Sequence, residues 1–290
     1  MELQWPLIIF TTLVAWSAGL FASQCVLGLK GIASKAQMPA WIASAALLAV
    51  GGIAVFFHLE HWDRIFNGFG NLTSGIAQEL IAIVALAIVA VIYLAMIRKG
   101  DGKAPAWIAI IGIAVAAILV IVMAHSYLMA SRPAWNSLLW VLAVLGNACV
   151  LGPATMSAII AAVDKETDMK LSDLMLLGGS AVNAVTTVAY IAAAAAATSA
   201  FTTIGYNFDP VHPTKPLADA AAYSPFAGDS MILTIVAIVS AIAALAVAFL
   251  AKKQGKQVIW GSVAAACAFV GALTLRMVFY NMGASVFMFF

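Results

Sequence analysis

Residues 75–97 read Gly-Ile-Ala-Gln-Glu-Leu-Ile-Ala-Ile-Val-Ala-Leu-Ala-Ile-Val-Ala-Val-Ile-Tyr-Leu-Ala-Met-Ile, with Glu79 the single charged side chain, and Arg98-Lys99 close the run. About 20 apolar residues rising 1.5 Å each cross the roughly 30 Å hydrocarbon core of a bilayer. The run therefore reads as a transmembrane helix. Breaks at charged or Gly/Pro-rich positions divide the rest of the chain into similar runs, giving spans at 6–29, 39–59, 75–97, 106–129, 136–163, 171–201, 229–251 and 258–282. Spans five and six run long, which predicts tilt or protrusion beyond the lipid.

Composition points the same way. Of 290 residues, 64% are hydrophobic and 9% charged, and the mean hydropathy is +1.06. A soluble domain carries about 25% charged residues. So few charges cannot cover a water-facing surface, which excludes a soluble enzyme, a nucleic-acid binder and a disordered chain. A lipid-exposed barrel is excluded because its strands alternate over about 10 residues, whereas these runs are continuously apolar. The expected fold is all-α: one polytopic transmembrane domain of eight helices over residues 1–290. The start, Met1-Glu2-Leu3-Gln4-Trp5, lacks a basic stretch, so the first run is expected to be retained as a span. Cys25, Cys149 and Cys267 lie far apart inside apolar runs, without metal-ligand spacing, and read as small packed apolar residues.

Eight spans put both termini on one side, here called side A. Its segments hold Arg64, Arg132 and Lys215. The opposite side B holds Lys30, Lys35, Arg98, Lys99, Lys103, Lys165, Lys170, Lys252, Lys253 and Lys256, ten against three. Basic loops stay in the cytoplasm, so side A and both termini are expected outside. Two side-A loops, 60–74 and 202–228, are the expected docking surfaces. The second carries Pro210, Pro213, Pro216 and Pro225, and long loops without helical periodicity commonly serve binding.

Ionisable side chains inside spans are costly and mark function by default. His58 ends span two at the side-A boundary, where an imidazole can exchange protons near neutral pH. Glu79 lies about six residues into span three if Thr73 or Ser74 caps it, at a depth of about 9 Å. Arg276 lies at similar depth in span eight, placed to pair with Glu79 or to orient a ligand carbonyl, with Tyr280 one turn on. His125 and Tyr127 end span four. For each the alternative is structural: a backbone hydrogen bond for His58, an ion pair for Glu79, snorkelling for Arg276. Asn147, in span five, and Thr187, in span six beside Asn183, Thr186 and Tyr190, read as helix–helix contacts, as do the small residues of Gly178-Gly179 and Ala192–Ala197. The side-B halves read as nearly empty, with Asp164 and Asp173 at their margin. One polar pocket opening to one side suits a lipid-soluble substrate that releases protons there. Two competing classes remain: a proton-translocating or transporter-type subunit, which needs polar groups through the full thickness, and a haem cytochrome b using His58 and His125.

Three stretches resemble the membrane anchor subunit of dimethyl sulfoxide reductase, the DmsC family, and the resemblance covers essentially the whole chain. Gln4-Trp5-Pro6-Leu7-Ile8-Ile9-Phe10-Thr11 is similar to the family's Glu-Trp-Pro-Leu opening. His58-Leu59 followed by Arg64-Ile65-Phe66-Asn67 is similar to its His-Leu and Arg-Ala-Phe-Asn motif, differing at Glu60 and Trp62, where the family has Gly and Pro. Arg276-Met277-Val278-Phe279-Tyr280 resembles its Gly-Arg and Phe-Tyr ending. The resemblance implies an anchor in a bacterial or archaeal cytoplasmic membrane, distantly akin to the NrfD-like anchors. It implies menaquinol as the bound substrate and no haem or metal in this chain. The implied partners are a molybdopterin catalytic subunit and a four-cluster, ferredoxin-like iron–sulfur subunit, with the anchor passing electrons to the latter. It assigns quinol oxidation to the positions of His58 and Glu79. On this reading Arg64, His125, Tyr127, Arg276 and Tyr280 contribute to quinol binding, and protons leave on side A.

Overall fold

A computed structural model describes residues 3–58, 67, 70–100, 102–202 and 223–286. These residues form helices and turns with no strand. In chain order the helices are α1 (Trp5–Lys30), α2 (Gln37–Phe56), α3 (Gly75–Lys99), α4 (Ala106–His125), α5 (Leu138–Val163), α6 (Lys170–Ala197), α7 (Gly228–Gln254) and α8 (Gln257–Asn281). All eight are long and apolar enough to cross a membrane.

Local chemistry sets the boundaries. Pro6 sits in the first turn of α1, where its missing N–H costs nothing. Gly31, in the left-handed conformation at φ 66°, stops that helix. The Ser74 side chain accepts from the Ala77 N–H at 3.2 Å and caps α3, as expected for one of its two candidate caps. Ser137 caps α5, accepting from the Leu139 N–H at 3.3 Å. Two expectations shift. Span four ends at His125 rather than 129, and Asn136 precedes the cap of α5 instead of lying within it. Residues 126–137 form turns instead, which fold onto the end of α8.

The packing is inverted relative to a soluble protein. On α7 the buried row is Ala237, Ala241, Ala244, Ala248 and Ala251, whereas Ile232, Ile235, Val239, Ile242 and Phe249 are exposed. Lipid solvates large branched side chains as well as a protein interior does, so small residues face inward and bring backbones together. α1 and α5 are the most buried helices. α1 packs on α2, α4 and α5, and α5 packs on α6 and α8. Close approach is enforced by missing side chains: a β-carbon on Gly19 would collide with the Ala148 carbonyl, and one on Gly152 with the backbone of Gly19. Pro153 has no N–H to offer the Cys149 carbonyl. That carbonyl faces Gly179 of α6, where a β-carbon would likewise collide.

Candidate functional site

One end of the bundle collects the start of α3, the ends of α4 and α8, and the turns between α4 and α5. This is the end called side A. Gly75 and Glu79 lie four residues apart and share a face of α3. A β-carbon on Gly75 would come within 2.7 Å of the Ser126 β-carbon, so the bare glycine lets α3 close on the end of α4. Glu79, half-buried, thereby reaches Ser126, whose hydroxyl hydrogen-bonds its carboxylate. The same hydroxyl lies 2.8 Å from the Met123 carbonyl. A serine hydroxyl has a single hydrogen and two lone pairs. It can donate to an ionised Glu79. Alternatively it can donate to the Met123 carbonyl and accept from a protonated Glu79. Both protonation states of the acid thus keep a hydrogen bond.

Tyr127 and Tyr280 flank this acid. Their rings meet edge to face, with centroids 6.4 Å apart and planes at 88°. Glu79 and Arg276 both lie within electrostatic reach of the two phenols. Burial, with Tyr280 and Glu79 nearby, holds the Tyr127 phenol well above its ordinary value. At neutral pH it is a hydrogen-bonding group rather than a base. The Tyr280 hydroxyl is buried beside Tyr127 and makes no hydrogen bond of good geometry. Behind the tyrosines, Phe279 is sandwiched between Trp135, at 4.4 Å and 13°, and Trp140, at 3.9 Å and 19°. The Trp135 indole N–H donates to the Phe279 carbonyl at 2.6 Å. Arg132 lies 4.5 Å over the Trp135 ring and donates to the Gly283 carbonyl. These contacts lock the turns onto α8 and fix the two tyrosines rigidly.

Arg276 is fully buried. Its Nε donates to Thr11 Oγ1 at 2.9 Å, and one terminal nitrogen donates to Asn147 Oδ1 and the Ala272 carbonyl, both at 2.9 Å. The other donates to the Thr11 carbonyl at 3.2 Å. Asn147 in turn donates to Asn183 Oδ1 at 2.7 Å. Among the described residues no carboxylate pairs with Arg276. The cation ties α1, α5 and α8 together and, through Asn147, α6. It neither snorkels nor pairs with Glu79.

Of the residues singled out from sequence, Glu79, Tyr127, Arg276 and Tyr280 converge. His58 and His125 lie near this end but are exposed. Arg64 and most of loops 60–74 and 202–228 fall outside the described residues. Sequence reading missed Ser126, Gly75 and Thr11. The i, i+4 spacing of Gly75 and Glu79 was the available signal for the first two. Side B is less empty than expected. Gln24 donates to the Gln37 carbonyl at 2.7 Å, and the Tyr93 hydroxyl donates to Gln37 Oε1 at 2.9 Å. Gln257 donates to Asp173 at 3.3 Å. The three residues of the first group are neutral amides and a phenol; they join α1, α2 and α3. No cluster of three or more potential metal ligands occurs among the described residues.

The family described as DMSO reductase anchor subunit (DmsC) matches residues 1–282. No match was found among curated proteins.

Proposed function

The chain belongs to the DMSO reductase anchor subunit family, a multi-pass membrane anchor of a molybdoenzyme complex, and from that premise we propose that it oxidises menaquinol at Glu79. The observation that carries this reading is the Glu79–Ser126 pair, a carboxyl group held by a hydroxyl that serves it in either protonation state. A quinol hydroxyl must lose its proton before the ring yields electrons readily, so a base must contact it. Glu79 takes that proton while the Ser126 hydroxyl turns to the Met123 carbonyl. Tyr127 and Tyr280 offer phenolic hydrogen bonds to the ring oxygens. His58, exposed at the same end, relays protons to the medium. Arg276 acts one step removed, placing positive charge behind the tyrosines where negative charge develops on the ring. Two protons leave on side A and two electrons pass to an iron–sulfur centre of a partner docked over the side-A loops. Ten basic residues on side B against three on side A support placing side A, with both termini, outside the cytoplasmic membrane.

The test compares membranes carrying the whole complex, wild type against Glu79→Gln and His58→Ala. Menaquinol oxidation is measured beside turnover from a soluble artificial donor that bypasses the anchor. Loss of the first with the second intact supports the site. Unchanged menaquinol oxidation in both variants sinks it and moves the transport reading forward.

A further inference from the structure

At the side-B end a short, well-bonded turn joins α3 to α4. The Gly102 N–H donates to the Ile97 carbonyl at 2.9 Å, the Lys103 N–H to the Gly100 carbonyl at 2.9 Å, and the Ala104 N–H to the Gly28 carbonyl of α1 at 3.2 Å. Gly102 takes φ 88°, and a β-carbon there would collide with Ser34. Beside this turn lies a cavity of about 380 Å³, within the size range of small-molecule sites, about 300–1,000 Å³. Its less exposed lining is apolar, Met96 and Ala104, and its exposed lining includes Lys99 and Lys103. The Lys103 stem lies against the end of α1: a β-carbon on Gly31 would come within 3.5 Å of the Lys103 δ-carbon. The cavity is therefore held in shape by the backbone, and one of its two cations is supported along its length.

Charge and depth define what fits there. On the same side of the bundle Lys35 pairs with Glu166 and Lys170 with Asp168, whereas Lys99 and Lys103 have no carboxylate partner among the described residues. Residues 98–103 carry Arg98, Lys99 and Lys103 against one acid, Asp101, which lies outside the described residues. The segment stays cationic whatever Asp101 meets. Lys99 ends α3 and Pro105 precedes α4, so the cavity sits where both spans leave the hydrocarbon. Trp107, two residues further on, is exposed, and tryptophan favours the headgroup level of a bilayer. Below it Val91 and Ile92 of α3 and Ile110 and Ile111 of α4 are exposed to lipid. α3 packs chiefly on α4 and little on α1 or α2, which keeps this edge of the bundle open.

We propose that the cavity binds the headgroup of an anionic phospholipid. Lys99 and Lys103 neutralise its phosphate, and its acyl chains run down the exposed apolar faces of α3 and α4. A soluble phosphate satisfies the lysines but leaves Met96, Ala104 and the apolar faces without a partner. A zwitterionic lipid brings its own cation and gains less from the lysines. The site stands apart from Glu79 and does not depend on the quinol reading.

The test titrates the whole complex, purified in detergent, with phosphatidylglycerol carrying a photoreactive group beside its glycerol. Labelling of peptide 96–107 against lipid concentration reports the affinity of this one site. The expected labelling is competed by unlabelled phosphatidylglycerol, but not by equal amounts of phosphatidylcholine or of inorganic phosphate. Lys99→Gln combined with Lys103→Gln should weaken it about tenfold or more, since each lysine near an anionic lipid contributes about fivefold. Lys99→Arg combined with Lys103→Arg keeps both charges and should label like wild type, which separates lost charge from a damaged turn. Basic loops on this side also serve topology, so Lys253→Gln combined with Lys256→Gln, exposed lysines of another side-B turn, is the control for general attraction and should leave labelling unchanged. Equal weakening in this control, unchanged affinity in the Lys99 and Lys103 glutamine variant, or labelling confined to other peptides overturns the site. Competition by inorganic phosphate makes the ligand a soluble anion, and equal competition by phosphatidylcholine removes the role of charge; either overturns the lipid assignment.

Discussion

Arg276 and Glu79 are two charge-bearing side chains at the same end of one bundle, and they are held in opposite ways. Arg276 is sealed from solvent and lipid, with four hydrogen bonds to neutral oxygens on α1, α5 and its own helix. Glu79 is half-buried and has one hydroxyl partner. A guanidinium carries five N–H donors and stays protonated, whereas a carboxylate has about four acceptor positions and gains or loses a proton readily. The arginine is nearly saturated, which suits a clamp. The acid keeps acceptor capacity in reserve, which suits a group that meets a substrate. Depth and charge alone, which made the two look equivalent, do not separate structure from chemistry; hydrogen-bond saturation does.

The comparison breaks first at the clamp. Arg276→Leu should destabilise the bundle most, by about 1–3 kcal/mol for each buried neutral acceptor left without its donor. Thermal unfolding of the detergent-purified chain measures it. A well-folded variant that loses only quinol turnover would reverse the assignment of roles. Glu79→Gln is the converse: unfolding unchanged, but quinol oxidation reduced by about 10²–10⁴-fold, the range of general-base contributions. If the chain melts early while its residual turnover stays normal, Glu79 is structural after all. Gly75→Val sharpens the contrast, because the added side chain drives Ser126 away from α3. Turnover should fall about tenfold, the equivalent of roughly 1.4 kcal/mol in the barrier, with the Arg276 network untouched. Ser126→Ala should cost less than that, and a loss as large as that of Glu79→Gln would make Ser126 a catalytic group in its own right. At the bottom of the scale lies Lys35→Ala. It removes the exposed Lys35–Glu166 pair on side B, 3.5 Å apart, and should shift stability by no more than about 0–1 kcal/mol.

The eight helices were legible because a membrane span writes itself as a continuous apolar run, and their boundaries moved by only a few residues. The exceptions are informative. Leu128 and Met129 look like more of span four, yet the chain turns after His125 because Arg132 and Trp135 dock on the end of α8. Nothing local announces a contact with a helix more than a hundred residues away. The partners of Arg276 were hidden for the same reason: Thr11 looks like an ordinary threonine of an apolar helix. The Gln24–Gln37–Tyr93 group went unread because amides near a membrane boundary resemble plain interfacial polarity until two helices bring them together. Glu79 and the two tyrosines were findable because an acid and phenols at matched depth are rare enough in apolar spans to be noticed singly.

The Arg276 network also bears on how the protein is made. Thr11 and Arg276 are separated by 265 positions and Asn147 and Arg276 by 129. During synthesis α1 and α5 therefore enter the bilayer long before their cation exists. They can wait, because Thr11 bonds the Leu7 carbonyl of its own helix at 2.9 Å and Asn147 already has Asn183. The last helix cannot. An arginine entering lipid on its own costs about 2.5–3.5 kcal/mol at the centre of a helix on insertion scales, and docking against α1 and α5 relieves that cost. α8 thus acts as a latch that closes once the earlier helices are correctly arranged. A chain misfolded in its first half would leave the arginine without these partners in the membrane.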